Sequence, residues 1–99
     1  MRVIEKEMIL AINSRRNYKK SNTEVINLSD GSIFVQLYDT IIFALINGVK
    51  YYNDGGYKTV TTGSRLRALG ADYSINQKKN NCKLTPNLQS IYIDHLFNF

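Results

Sequence analysis

Apolar side chains in the first twelve residues, MRVIEKEMILAI, recur at Ile4, Met8, Ala11 and Ile12, with Glu5 and Lys6 on another side. That helical spacing, among strong helix formers, predicts a short amphipathic helix over residues 1–13. From Val25 the period shortens. Ile33, Val35 and Leu37 alternate with Phe34, Gln36 and Tyr38, so one face of this strand is expected in the core and the other partly exposed. The run IIFALI, residues 41–46, has no polar alternate, which predicts the central strand, covered on both faces.

The polar punctuation agrees with strands. Asp30-Gly31 separates EVINL from SIFVQLY, Asn47-Gly48 separates TIIFALI from VKYYN, and Asp54-Gly55-Gly56 closes that last run. These pairs tolerate the positive φ that tight hairpin turns demand, so an antiparallel meander is expected. After it, Thr61 or Thr62 is placed to cap a helix over about 61–69. Leu66 and Leu69 share one face of it, Arg65 and Arg67 point elsewhere, and Gly70 stands where a left-handed C-terminal cap belongs. So short a helix must lie on the sheet. YSINQ and CKL read as two further strands around a turn at Lys78 to Asn81. In the tail, Leu88, Ile91, Tyr92 and Leu96 fit a helix while Ile91, Ile93, Phe97 and Phe99 fit a strand; the β-branched and aromatic content favours an extended pair.

The expected class is therefore α+β: a small antiparallel β-meander sheet with a short helix packed on it and an N-terminal helix. Residues 1–99 read as a single domain, with a helix over 1–13, a basic loop over 14–22, a β-rich core over 23–84 and docked C-terminal strands over 85–99. A length of 99 residues with 43% apolar content suits one core. The single Cys82 excludes an internal disulfide. No apolar run approaches the ~20 residues of a membrane-spanning helix, and charges at Arg2, Glu5, Lys6 and Glu7 argue against a secretory signal.

Charge changes the picture more than composition does. The net +5 is carried in two blocks, with six basic residues in 1–20 and seven in 50–83, while 21–49 holds three acidic residues and no basic one. Such asymmetry suits a polyanionic or acidic partner. The residues expected to contact a partner or phosphates are Arg15, Arg16, Tyr18, Lys19 and Lys20 in the first block. In the second they are Tyr57, Lys58, Thr62, Arg65, Arg67, Lys78, Lys79 and Lys83. An anion site at the start of the 61–69 helix would use Thr61, Thr62 and Arg65. A P-loop is excluded, because Gly56 to Gly63 has the wrong spacing and no Lys-Ser or Lys-Thr follows. With one histidine, His95, and one cysteine, neither a metal centre nor a cofactor is expected, and no residues point to an enzyme.

Four stretches, Asn22-Thr23, VQLYDTII at 35–42, NDGGYKTVTTGSRL at 53–66 and INQKKNNCKL at 75–84, together resemble a group of small bacteriophage-encoded proteins. That group carries a V-x-L-x-x-T-x-I strand, then G-G-[WY]-x-T-x-T-T-x-x-R, then a strand ending in Q and a positively charged turn. The chain departs from it at Tyr57, where tryptophan is commoner, at Gly63, where a charged residue is frequent, and at Cys82, near another common tryptophan. The resemblance implies a phage gene acting in the host cytoplasm, and it carries no catalytic or binding residues. Two functions follow as expectations. One is a non-enzymatic accessory protein that binds and blocks a host protein or nucleoprotein complex, as an anti-CRISPR inhibitor does. The other is a basic module that contacts DNA or RNA. Exposed sheet edges also allow a homo-oligomer.

Overall fold

A computed structural model describes residues 2–56, 59–73 and 84–97. Along the chain run α1 (Val3–Asn13), β1 (Tyr18–Lys20), β2 (Thr23–Asn27), β3 (Ile33–Leu37), β4 (Thr40–Ile46), β5 (Val49–Tyr52), α2 (Val60–Ala68) and α3 (Leu88–Leu96). The five strands form one sheet in sequential order, every neighbouring pair antiparallel. This is the α+β meander that the alternation and turn residues predict.

The hairpins use different local chemistry. Asn47 and Gly48 have φ of 52° and 80°, the two positive values of a type I′ turn. Asp30-Gly31 instead belongs to a three-residue loop: Gly31 N–H donates to Leu28 O, and Leu28 N–H to Ser32 O, with Gly31 at φ 91°. That is a type I turn followed by a left-handed bulge residue. The β1–β2 and β3–β4 connections carry no glycine, and their positive φ falls on Ser21 and Tyr38, at 56° and 55°.

β4 lacks alternation for a structural reason. Val35 pairs with Phe43 and Gln36 with Ile41, so Ile42 is an extra residue in a β-bulge. The bulge puts Ile42 and Phe43 in one hydrophobic cluster and Ile41 and Ala44 in the other. β3 is the middle strand, and β4 lies one place towards the edge, which corrects the expected order. Both faces of β3 are buried at Phe34 as well as at Ile33 and Val35.

α1 and α2 cover one face. Met8, Ala11, Leu66 and Leu69 pack there on Val25, Ile33, Val35 and Phe43. The other face is covered by α3, whose Leu88 is buried against Phe34, Ile41 and Ala44, with Ile91 and Tyr92 beside it. The Phe34 and Tyr92 rings meet edge-on at 5.0 Å. The tail over 85–99 is thus helical between Leu88 and Leu96 and not a strand pair. Its β-branched residues yield to the apolar face of the sheet, which a helix with Leu88, Ile91 and Tyr92 on one side covers well. The basic loop over 14–22 is also corrected, since Tyr18–Lys20 pairs with β2 as an edge strand. The strands expected in YSINQ and CKL, and the turn at Lys78 to Asn81, lie outside the described residues apart from Tyr73, which is in no strand, and Leu84, which forms a parallel bridge with Tyr52.

Candidate interaction surface at the hairpin tips

The residues directly after β5, 53–56, form a turn held by side chains. Asp54 Oδ1 accepts from Gly56 N–H at 2.9 Å, and Asp54 Oδ2 accepts from the Tyr73 hydroxyl at 2.9 Å. The helix cap is Thr59 and not Thr61 or Thr62: its hydroxyl oxygen accepts from Thr62 N–H at 3.1 Å and donates to Thr62 Oγ1 at 3.0 Å. Both polar groups of Thr62 are thereby engaged, and its side chain is buried. A cavity of about 250 Å³ beside this helix start is lined by Asp39 and Asp54 together with Thr59 and Thr62. Of the residues expected at an anion site there, Thr62 is held by Thr59 and Arg65 is turned to Glu5.

Arg65 points inward. Its side chain is 4% exposed, and the guanidinium donates to Glu5 Oε2 at 2.7 Å, to Thr23 Oγ1 at 3.1 Å and to Asn22 Oδ1 at 3.4 Å. Glu5 also accepts from Ser64 Oγ at 2.6 Å and from the Arg2 backbone N–H at 3.2 Å. Burial pushes the Glu5 carboxyl pKa up, but the hydrogen bonds from Ser64, Arg65 and Arg2, with the Arg65 charge, outweigh it and leave the pKa below its ordinary value. Sequence reading could not find this pair, because Glu5 sits in an amphipathic pattern that assigns it to the surface. The helical phase of α2 places Leu66 and Arg65 side by side, and only α1, packed above, decides which way Arg65 turns.

The network continues to the surface. Thr23 Oγ1 donates to Asn22 Oδ1 at 2.8 Å, Asn22 Nδ2 donates to the Tyr38 hydroxyl at 3.3 Å, and Tyr38 N–H donates to Asn22 O at 2.8 Å. Gln36 Nε2 closes on Tyr38 O at 2.8 Å. Tyr38 is 68% exposed although its backbone, hydroxyl and carbonyl are all tied down. A bulky residue at positive φ is strained by about 1–2 kcal/mol. The strain and exposure coincide at the mouth of an open groove of about 510 Å³ lined by Lys19, Ser21, Asn22, Glu24, Gln36, Tyr38 and Asp39. Neither Tyr38 nor Asn22 was among the residues expected to contact a partner, since a tyrosine ending an alternating strand carries no sign of its φ.

The predicted cationic set divides. Arg15, Arg16 and Lys19 are exposed around β1, and Arg15 donates to Gly31 O at 3.3 Å. Tyr18 is half-buried with its hydroxyl on Glu7 Oε1 at 3.0 Å. Burial, and then the Glu7 carboxylate, raise its pKa. Lys20 pairs with the same carboxylate at 3.4 Å. Arg67 is exposed on α2 and donates to Tyr73 O at 3.3 Å. Tyr57, Lys58, Lys78, Lys79 and Lys83 lie outside the described residues, as does Cys82. His95 meets Asp30 Oδ2 at 2.7 Å, tying α3 to the β2–β3 loop. The Ser32 hydroxyl first, then His95, hold the Asp30 carboxyl at about 2.

Among the described residues, no helix is long and apolar enough to cross a membrane. No curated protein and no solved structure matches the chain. The family model described as Kyanoviridae Gp96 protein matches residues 1–92, a span that takes in the whole sheet, α1, α2 and the first half of α3. The chain therefore belongs to the Kyanoviridae Gp96 family and is a phage-encoded protein.

Proposed function

We propose that this protein is a non-enzymatic phage accessory protein that binds, and by occupying it blocks, a host protein or nucleoprotein complex, using the surface at the β1–β2 and β3–β4 hairpin tips. The observation that carries the reading is Tyr38: exposed, at positive φ, and fastened through Asn22 to the buried Arg65–Glu5 pair. Strained backbone persists where its surroundings over-determine it, and such positions cluster at binding sites. A rigid tyrosine loses little side-chain freedom on binding, which is why aromatic anchors dominate interface energetics. The groove beside it mixes Lys19, Glu24 and Asp39 with amide side chains, a surface suited to hydrogen bonding with a protein rather than to a polyanion.

The alternative, phosphate binding by the lysine and arginine clusters, loses Arg65 to the buried Glu5, and its Lys20 and Tyr18 share the Glu7 carboxylate at the surface. Arg15, Arg16 and Lys19 keep it in view. One experiment separates the two. The tagged full chain is retrieved from host cells beside a Tyr38→Ala variant, with and without nuclease. A host protein that survives nuclease and raised salt, and disappears with Tyr38→Ala, is the expected result. Recovery indifferent to Tyr38→Ala, or nucleic acid alone whose retention collapses with salt, overturns the reading.

A further inference from the structure

The sheet has two edges, and they differ. β5 is partly closed: Tyr52 bridges Leu84, and Thr85 N–H donates to Tyr52 O at 2.7 Å. On the outer side of β1 no described residue pairs. The β1–β2 connection is a two-residue turn with Lys20 facing Thr23 as its closing pair, so Tyr18 and Lys20 direct their backbone groups to β2. Alternation then directs the N–H and C=O of Lys19 outward. Asn17 ends the strand, since its side-chain carbonyl takes Asn27 N–H at 2.8 Å.

Arg16 precedes this edge strand and Lys19 lies on it, both exposed and in no ion pair among the described residues, while Arg15 is turned to Gly31 O. A second copy of β1 set antiparallel against the first would bring Lys19 onto Lys19, and facing like charges oppose strand pairing. An extended segment with carboxylates meets the opposite situation. From the open backbone and its cationic border, we infer that β1 receives an acidic extended segment of the partner protein as a sixth strand. The inference rests on the protein-binding reading above and names the chemistry of what is bound. Main-chain hydrogen bonds to Lys19 set the register, and Arg16 and Lys19 select the charge.

The test uses the full chain and a short acetylated peptide alternating glutamate and valine, followed by amide NMR shifts and hydrogen exchange. The expected result is a salt-sensitive shift and slowed exchange at the Lys19 amide, with no response to the matching lysine-valine peptide. Lys19→Pro removes the outward N–H without removing a bond to β2, and binding should weaken roughly tenfold or more. Should that proline disturb β1, the double charge reversal Arg16→Glu with Lys19→Glu leaves the backbone intact and must also weaken the acidic peptide. Absence of a Lys19 response, equal binding of the lysine peptide, or protection of Lys19 by self-association without peptide would each overturn the inference. If the peptide fails while Tyr38-dependent capture persists in Lys19→Pro, the edge proposal alone falls. If the peptide binds and Tyr38-dependent capture fails, the edge stands and the tip does not.

Discussion

Arg15 and Gly70 occupy the same place in two helices. In α1, Arg16 N–H reaches Ala11 O and Arg15 N–H reaches Ile12 O; in α2, Ala71 N–H reaches Leu66 O and Gly70 N–H reaches Arg67 O. Both are Schellman ends, with a left-handed residue just beyond the cap, at φ 53° for Arg15 and 101° for Gly70. Glycine adopts that conformation freely and arginine does not, so Arg15→Gly should stabilise the fold by about 0.5–1 kcal/mol after glycine's own entropic cost. A thermal midpoint raised by a few degrees checks this. The buried Glu5–Arg65 pair behaves oppositely. Glu5→Ala strands a buried guanidinium and should cost about 3–5 kcal/mol in urea unfolding, whereas Glu5→Met with Arg65→Met should recover most of that loss. In the double variant the fold survives but Asn22 loses the guanidinium beside it, so faster exchange of the Tyr38 amide is expected. The pH dependence follows from the lowered Glu5 pKa: the stabilisation is complete above the ordinary value of 4.5 and fades as pH falls through the folded-state value. Constant stability on acidification from pH 6 to 3 would contradict it.

At the scale of elements, α3 is the part that the sheet needs and that the sequence hid. Leu88 is fully buried between the helix and β4, so Leu88→Ala should cost about 2–5 kcal/mol and increase binding of an apolar dye as the helix loosens. An unchanged urea midpoint would show that α3 does not hold that face. The strands were legible because Asn47-Gly48, Gly31 and Gly55-Gly56 mark their ends, and because α1 and Gly70 obey helix rules that act locally. Three features were illegible, each decided by contacts distant in sequence. The tail fits two periods equally, and only the bare face around Phe34 chooses between them. The Ile42 bulge is hidden in IIFALI, since a run apolar on both faces keeps no alternation in which an extra residue would show. β1 is too short to have a period at all, and its pairing depends on β2 beyond a turn without glycine. The site suffered most, since charge alone assigned Arg65 to the outside, whereas Glu5 draws it into a buried contact.

Across the whole molecule, one sheet separates two apolar clusters, and a single polar thread joins α1, α2 and the tip of the meander. The meander links neighbours in sequence, so its contacts close at small entropic cost, while those of α1 with α2 enclose most of the chain. Met8→Ala, at the α1 contact, is therefore expected to speed unfolding and leave the folding rate nearly unchanged; Val35→Ala, in the middle strand, should slow folding. Stopped-flow chevrons for the two variants check this, and the reverse pattern would place α1 in the nucleus.

Glu5 and Arg65 stand 60 residues apart. A ribosome delivers the carboxylate long before the guanidinium, so Glu5 stays hydrated until the strands and then α2 have emerged. Closure of that pair is a late step in biogenesis, and a nascent chain halted before Arg65 would carry the tyrosine tip without the latch that steadies it.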